Sequence, residues 1–146
     1  MAEQSEALST SGTAGIIGYR LRRAQFYVFQ RFLAVFNTLE LRPAEYSVLV
    51  LIADNPGRKQ TEIAEVLGIK RANFVTLAHG LEERGLIERR AAPGDRRANA
   101  LYLTRQGQAF LLKARSLHDS LETELVGQLG GEDERAVLIR LLERLR

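Results

Sequence analysis

Basic and hydrogen-bonding side chains are concentrated between residues 70 and 97 of this 146-residue chain. Arginine presents two parallel N–H donors to the O6 and N7 atoms of guanine, and asparagine matches adenine in the same way. Arg71 and Asn73 are therefore candidates for reading bases, and Thr76 for contacting a thymine methyl group or a phosphate. Lysine and arginine also neutralise phosphates, which supply much of the affinity for DNA. The candidate DNA-contacting residues are Lys70, Arg71, Asn73, Thr76, His79, Arg89, Arg90, Asp95, Arg96 and Arg97.

The residues that most other chemistries need are missing from the sequence. It contains no cysteine, which excludes disulfides, thiolate metal sites and cysteine-based redox sensing. A histidine-rich metal site is not expected, because the histidines are only His79 and His118. A nucleophile elbow and a phosphate-binding loop are also absent. We therefore predict that the protein is not an enzyme and that it has no metal ion or cofactor.

Two short helices are predicted to position the first group of candidates. Thr61 is a favourable helix cap before an apolar run, and Gly68 ends that helix. A second helix is predicted from about residue 70 to residue 84, with Gly85 after it. Taken alone, the pair is equally consistent with an ordinary helical hairpin that binds nothing. The apolar spacing predicts that the second helix buries Phe74, Leu77, Ala78 and Leu81.

A basic hairpin follows the two helices. Residues 86–90 are typical of a strand, residues 91–95 of a turn with Pro-Gly as breaker, and residues 100–104 of a return strand. Arg96 or Arg97 at its tip would enter the minor groove, because arginine is attracted to the negative potential there. The alternative is a solvated basic hairpin. Lys70 and His79 are better suited to phosphates, although His79 is equally consistent with an ordinary surface position.

Long helices are predicted on both sides of this module. Residues 16–38 carry two apolar stripes, one through Ile17, Leu21 and Val28 and the other through Phe26, Phe29, Leu33 and Phe36. A helix that is apolar on two faces must bury both, which indicates a partner subunit or a ligand cavity, unless both stripes share one core. Pro43 is predicted to begin another helix that runs to residue 55. Thr104 is predicted to cap a helix over residues 105–129, and Gly130-Gly131 separates it from a last helix over residues 132–146.

The composition fits a single domain. The net charge is +3 and the isoelectric point is near 9.6. Residues 1–14 are small and polar, lack the pattern of a secretory signal and are expected to form a disordered arm. No apolar run is long enough to cross a bilayer, so a cytoplasmic location is expected. The predicted fold is mainly α with a small β-hairpin wing: a winged helix-turn-helix with dimerisation helices at both ends.

These segments resemble the MarR-type transcriptional regulators. The resemblance rests on TEIAEVLGI, LEERGLIERR and PGDRRANALYLTRQG, and it extends over nearly the whole chain. It implies one domain over residues 15–146, with the DNA-binding part at about 43–104 and dimerisation helices at 15–39 and 105–146. It further implies a homodimer on a pseudo-palindromic operator, with two recognition helices roughly 34 Å apart, released by a small ligand. The lack of cysteine excludes the oxidation-sensing members as a guide.

The resemblance also makes more detailed predictions. Matching the family pattern, Asp95 and Arg97 brace the wing, which leaves Arg96 freer for DNA. Two departures stand out: Lys70 occupies a position where members often have the better-capping Ser or Thr, and Gly80 interrupts the recognition helix at a cost of roughly 1 kcal/mol relative to alanine.

A ligand site is implied between the dimer helices and the winged part. Arginine suits a carboxylate or a phosphate, and aromatic side chains suit an apolar cavity. This combination favours an aromatic acid or its coenzyme A thioester over a cationic drug, although aromatic residues at helical spacing more often belong to a core than to a pocket. The candidate ligand residues are Arg20, Arg22, Arg23, Phe26, Phe29, Phe36, Tyr46 and Phe110.

The sequence therefore predicts a ligand-responsive regulator that acts as a repressor. The alternative is a helical adaptor that uses the winged part for contact with another protein. A recognition helix has the same chemistry in repressors and activators, so the residues do not distinguish these two roles.

Overall fold

The computed structural model describes residues 8–146. The helices are α1 (Ser11–Ala14), α2 (Ile17–Phe36), α3 (Pro43–Asp54), α4 (Gln60–Val66), α5 (Arg71–Glu83), α6 (Arg105–Leu129) and α7 (Glu132–Glu143). A 3-10 turn, Asn37–Leu39, follows α2. The strands β1 (Ile87–Ala92) and β2 (Asp95–Leu103) form an antiparallel hairpin between α5 and α6. The predicted fold, mainly α with a small β-hairpin wing, is confirmed.

The core lies where α2, α3, α5, the hairpin and α6 meet. Phe32 and Phe36 stack with ring centroids 4.0 Å apart, and Tyr46 packs against both rings. Both phenylalanines are buried, although Phe36 belongs to the stripe whose earlier members, Phe26 and Phe29, are exposed. The preceding part of α2, residues 21–30, is exposed throughout. The C-terminal part of α2 is therefore packed in the core of the chain, whereas the apolar side chains of its N-terminal half remain exposed.

The predicted helix boundaries hold approximately, but the cap of α4 and the N-terminal arm differ from the prediction. Thr61 does not cap α4: the helix begins at Gln60, and the Glu62 carboxylate accepts a hydrogen bond of 2.7 Å from the backbone N–H of Lys59. The side-chain acceptor at this helix start is therefore a glutamate of the first turn, which binds the amide of the residue before the helix, and not the predicted threonine hydroxyl. Lys70 precedes α5 and makes no side-chain cap, as its chemistry requires. In the predicted arm, residues 11–14 form a helical turn, and residues 1–7 lie outside the described part.

The hairpin is longer than predicted. Its return strand begins at Asp95 rather than Ala100, directly after the Pro93-Gly94 turn, where Gly94 has a φ of 76°. The segment before α4 pairs with the root of the hairpin. Gly57 N donates to Leu101 O at 2.9 Å, and Leu101 N donates to Arg58 O at 3.0 Å. The wing is thereby fixed to the beginning of α4 as well as to α5.

The beginning of α6 is pressed against the end of the recognition helix. Thr104 caps α6 as predicted, accepting a hydrogen bond of 2.9 Å from Gly107 N. The same hydroxyl donates to Gly85 O at 2.5 Å. A Cβ on Gly107 would lie 1.9 Å from Leu86 O, so only glycine permits this approach. The two segments therefore hold a fixed relative position.

An ion pair joins the two long helices. The Arg31 guanidinium donates to both carboxylate oxygens of Glu124, at 2.9 and 2.7 Å. Hydrogen bonding and charge attraction raise the pKa of Arg31 and lower the pKa of Glu124. Farther along, α7 packs on α6 but keeps most of its side chains exposed. Among the described residues, no helix is long and apolar enough to cross a membrane.

Candidate nucleic-acid interface

The recognition helix α5 has one buried face and one exposed face. Phe74, Ala78 and Leu81 are completely buried, as their spacing predicts, and Leu77 is half-buried. The predicted DNA-contacting residues of this helix all lie on the exposed side: Lys70, Arg71, Asn73, Thr76 and His79. The hydroxyl of Thr76 donates to Ala72 O, one turn earlier, at 3.3 Å. An acceptor on DNA can take the place of this carbonyl.

The two candidates for base reading lie on opposite edges of α5. Residues two positions apart in a helix, such as Arg71 and Asn73, are separated by about 200° around its axis. Arg71 accordingly lines a polar groove of about 280 Å³ together with Lys59, Asp95 and Arg97. Asn73 lines a different groove of about 440 Å³ with Arg42, Glu45 and Gly80. The helix therefore presents an arginine toward the wing and an asparagine toward the beginning of α3.

At the wing tip, Arg96 and Arg97 are exposed, and neither forms an ion pair within residues 8–146. Asp95 accepts a hydrogen bond of 3.1 Å from the backbone N–H of Arg97, and its other carboxylate oxygen lies 3.5 Å from Lys59 Nζ. The predicted brace between Asp95 and Arg97 thus runs through the backbone, and the charge partner of Asp95 is Lys59. An acid with these partners shapes the wing.

Arg89 and Arg90 occupy the root of the wing and already have partners. Arg89 forms an ion pair with Glu82, its side chain is only 20% exposed, and it lies 3.4 Å from His79 Nδ1. Arg90 forms an ion pair with Glu88 and lies over the ring of Tyr102, 4.3 Å from its centroid. The first pair holds the strand β1 against α5, and the contacts of Arg90 lie within the hairpin. The sequence could not show either.

His79 belongs to the same paired group. Its Nε2 lies 3.4 Å from a carboxylate oxygen of Glu83, four residues later in the same helix. The free positive charge of the surface consequently lies at the beginning of α5 and at the wing tip, away from His79.

Three residues outside the predicted set of DNA contacts adjoin the site: Lys59, which is half-buried, and Arg42 and Val75, which are exposed. Lys59 and Arg42 line the two grooves beside α5, and Val75 is an exposed apolar residue on the helix itself. Val75 had a detectable signal, because it lies one turn from both Arg71 and His79. The positions of Lys59 and Arg42 depend on how α3 and α4 pack, which no local pattern encodes.

The predicted ligand residues do not line one cavity. Phe36 is completely buried in the core and cannot contact a ligand there. Tyr46 is stacked on His118 at 4.6 Å, and burial raises the pKa of its hydroxyl. Phe110 lies beneath the guanidinium of Arg84. The structure therefore assigns these three rings packing partners within the chain.

The other candidates lie along the exposed half of α2. Phe26 and Phe29 are 56% and 38% exposed, Arg22 and Arg23 are exposed, and Arg20 donates to Ala14 O at 2.6 Å. An apolar groove of about 460 Å³ lies nearby between α2, α6 and α7, but none of the predicted ligand residues lines it. Its lining is formed by Ala24, Tyr27, Val28, Leu125, Leu129 and Ile139, among others.

The fold and its basic surface define a winged helix-turn-helix transcriptional regulator. The family model that matches the chain is that of the MarR family, over residues 39–98. A putative transcriptional regulatory protein for the hcr operon of Thauera aromatica is 35% identical over 133 residues, which cover 90% of this chain and 80% of that protein.

Two solved structures are more similar still. The transcriptional repressor CouR bound to a 23-mer DNA duplex superposes with a TM-score of 0.90 and is 41% identical, covering 96% of this chain and 99% of that chain. CouR bound to p-coumaroyl-CoA has a TM-score of 0.82 and 40% identity, covering 95% and 97%. This chain belongs to the MarR family. That family and these neighbours are transcriptional regulators and not enzymes.

Proposed function

We propose that this protein is a homodimeric repressor that binds a pseudo-palindromic operator and is released by an aromatic acyl-CoA thioester. The observation that carries the proposal is the set of exposed basic side chains at the beginning of α5 and at the wing tip, formed by Lys70, Arg71, Arg96 and Arg97. A repressor of similar sequence has been captured both on DNA and with p-coumaroyl-CoA, which supports each half of the proposal. Acting on DNA, the protein would work in the cytoplasm.

The proposed DNA contacts follow the geometry of α5 and the wing. Arg71 and Asn73 would read bases from opposite edges of the helix, Lys70 would bind a phosphate, and Thr76 would lie between them. Arg96 or Arg97 would enter the minor groove beside the wing. The paired residues Arg89, Arg90 and His79 would contribute only through the local field.

The proposed dimer is supported by apolar side chains that the single chain leaves in water. A contiguous apolar surface of this kind marks an interaction site in soluble proteins. It lies on both terminal helices, on α2 at Ile17, Leu21, Phe26, Val28 and Phe29 and on α7 at Val137, Leu138, Ile139, Leu141 and Leu142. Light scattering should give twice the chain mass of 16.4 kDa. Ile139→Glu should shift that mass toward the monomer, whereas Val66→Glu, at an exposed apolar position on α4, should not.

The effector proposal rests on charge and aromatic character. Arg22, Arg23 and Phe26 on the exposed half of α2 offer an anion site and an apolar surface near one another along the chain. Arginine binds phosphate as readily as carboxylate, so a thioester of coenzyme A provides more for this surface than the free acid does. We therefore expect p-coumaroyl-CoA to act at lower concentration than p-coumarate.

Fluorescence anisotropy with DNA from upstream of the gene, over a salt series, tests the proposal. Random DNA of equal length is the control for specificity. We expect tight binding to the upstream DNA that weakens steeply with salt, because bound phosphates release counterions. p-Coumaroyl-CoA should release the complex, and coenzyme A alone should not. Absence of binding to either DNA at low salt would instead favour the adaptor function.

A further inference from the structure

Arg84 connects the end of the recognition helix to a distant part of the chain. It is the residue immediately after α5. Its guanidinium donates to Leu39 O at 2.8 Å and to Glu40 O at 3.1 Å. These carbonyls belong to the junction between α2 and α3, more than 40 positions earlier in the sequence. One side chain thereby joins the DNA-reading helix to the end of a proposed dimerisation helix.

The junction that Arg84 binds is an unusual piece of backbone. The 3-10 turn Asn37–Leu39 ends at Glu40, which has a φ of 46° and is the one non-glycine residue with positive φ among residues 8–146. A left-handed conformation is unfavourable for a residue that carries a side chain, and it persists only where its surroundings hold it. The last carbonyls of a helical turn also lack partners within it and carry partial negative charge. Arg84 supplies both the donors and the compensating charge.

The same guanidinium also contacts α6. It lies over the ring of Phe110, 5.3 Å from the ring centroid, in the geometry of a cation–π contact. Gln106 of the same helix lies 3.4 Å from Arg84 O through its side-chain amide nitrogen. The recognition helix itself packs mainly on α4 and β1. Arg84 is thus a point at which α5, α6 and the end of α2 meet through a single charged group.

We propose that Arg84 is a positioning residue that couples helices α2 and α6 to the recognition helix. A ligand that displaces either helix would move the carbonyls or the ring that hold the guanidinium, and so would change the orientation of α5 on DNA. The inference rests on the proposed function, because it requires a chain that binds both DNA and an effector. Coupling of this kind is reciprocal in binding free energy, so DNA must raise or lower effector affinity by the same factor. If Arg84 carries the coupling, we expect DNA binding to change the opening of the junction around Glu40 as well.

The first arm of the test measures the coupling factor, which is the ratio of the DNA dissociation constants with and without saturating p-coumaroyl-CoA. Arg84→Met removes the donors and the charge, and Arg84→Lys retains the charge without the paired donors. Arg105→Met is the matched control, since it removes an equal charge from an exposed arginine at the start of α6. Effector affinity is measured separately without DNA, to show that the variants still bind it.

We expect the wild-type and Arg105→Met factors to fall in the range of about 5–150 that is typical of allosteric coupling. The factor for Arg84→Met should approach one, with effector affinity retained, and Arg84→Lys should lie between them. Equal coupling factors in the wild type and Arg84→Met would overturn the proposal.

The second arm needs DNA but no effector. The Glu40 amide donates to Asn37 O at 3.2 Å, and its hydrogen exchange reports the state of the junction. DNA should slow this exchange in the wild type and leave it unchanged in Arg84→Met under conditions where both proteins are saturated with DNA. No change in the wild type would overturn the coupling.

The two arms separate this inference from the proposed function. DNA binding without release by p-coumaroyl-CoA would refute the proposed effector, and the exchange at Glu40 would still decide the role of Arg84. Failure of the wild type to bind any DNA would refute both.

Discussion

The two ends of the recognition helix are built for different tasks. At its beginning, Lys70 and Arg71 are exposed and carry no ion pair within residues 8–146, and Arg97 of the wing lines the same groove as Arg71. At its end, Arg84 is bound to two backbone carbonyls and an aromatic ring. The same residue type therefore supplies free charge at one end of the helix and a fixed anchor at the other.

The contrast shows that an arginine's role is decided by its neighbours. Arg89 and Arg96 lie in the same hairpin, yet Arg89 is paired with Glu82 and Arg96 is exposed to solvent. An ion pair at the surface contributes only about 0–1 kcal/mol to stability. Its main effect here is to fix the direction of the guanidinium and to occupy donors that could otherwise bind DNA. Unpaired arginines at the beginning of the helix keep their donors available for DNA, whereas paired ones at the end fix its position.

The largest effect is expected where the anchored end touches α6. Gly107→Ala places a Cβ 1.9 Å from Leu86 O, a backbone atom that cannot move without shifting the end of α5. We expect unfolding to become easier by roughly 4 kcal/mol or more, which marks the exceptional class of point mutations. Urea denaturation followed by circular dichroism measures this loss.

Gly127→Ala is the matched control for that experiment, because no atom lies within 4 Å of its added Cβ in the same helix. It should stabilise the protein slightly through helix propensity. If Gly107→Ala lost no more stability than Gly127→Ala, the start of α6 and the end of α5 would be able to move apart easily. The end of α5 would then not be fixed by its contact with α6.

The second prediction compares a free arginine with a paired one. Arg71→Ala should weaken binding to the operator by about 1–3 kcal/mol and relax the preference at one base pair. Arg90→Ala should cost no more than about 1 kcal/mol, since Glu88 and Tyr102 already engage that guanidinium. Anisotropy titrations of both variants on the operator and on single-base variants measure the difference. Equal losses would mean that DNA draws Arg90 away from its partners.

The helices and their order could be predicted from the sequence, because each has local causes. Apolar spacing placed α5 and its buried residues Phe74, Ala78 and Leu81, and Thr104 was predicted to cap α6. Such signals lie within one or two turns of the residue they describe. The start of α4 was missed because Glu62, rather than a side chain at the cap itself, satisfies the free amide.

The site could be predicted only in outline, because it depends on contacts between distant segments. Arg89 and Arg90 could not be separated from Arg96 and Arg97 by type or spacing. Their difference comes from Glu82, Glu88 and Tyr102 after the hairpin has folded. Phe36 failed as a ligand residue for the same reason, since its stacking on Phe32 and Tyr46 requires α3 to be in place.

A smaller effect is expected in the middle of the recognition helix. No atom lies within 4 Å of a Cβ built on Gly80, so the glycine is not required by packing within the chain. Gly80→Ala should therefore stabilise the protein by about 0.5–1 kcal/mol through helix propensity, as thermal or urea unfolding would show. Operator affinity should stay unchanged if only the beginning of α5 reads DNA. A stabilised variant with weaker operator binding would mean that DNA closely approaches the groove beside Gly80.

The smallest effect concerns the ion pair that holds together the helices that Arg84 bridges. The carboxyl of Glu124 has a pKa below its ordinary value of 4.5, because Arg31 donates hydrogen bonds to its charged form. The pair therefore stabilises the fold fully above that ordinary pKa, and its contribution is lost as the pH falls through the lower folded value.

We expect the difference in unfolding free energy between the wild type and Glu124→Gln to be small near neutral pH and to shrink further below about pH 4. Urea unfolding at a series of pH values measures it, with Asp119→Asn as the control, since this exposed acid of the same helix forms no ion pair within residues 8–146. Because Arg84 contacts both α6 and the end of α2, Glu124→Gln should also reduce the release of DNA by p-coumaroyl-CoA, but less than Arg84→Met does. A pH-independent difference would indicate that Arg31 and Glu124 are not paired in solution. The position of the end of α5 would then depend on the contacts of Arg84 and Gly107 alone.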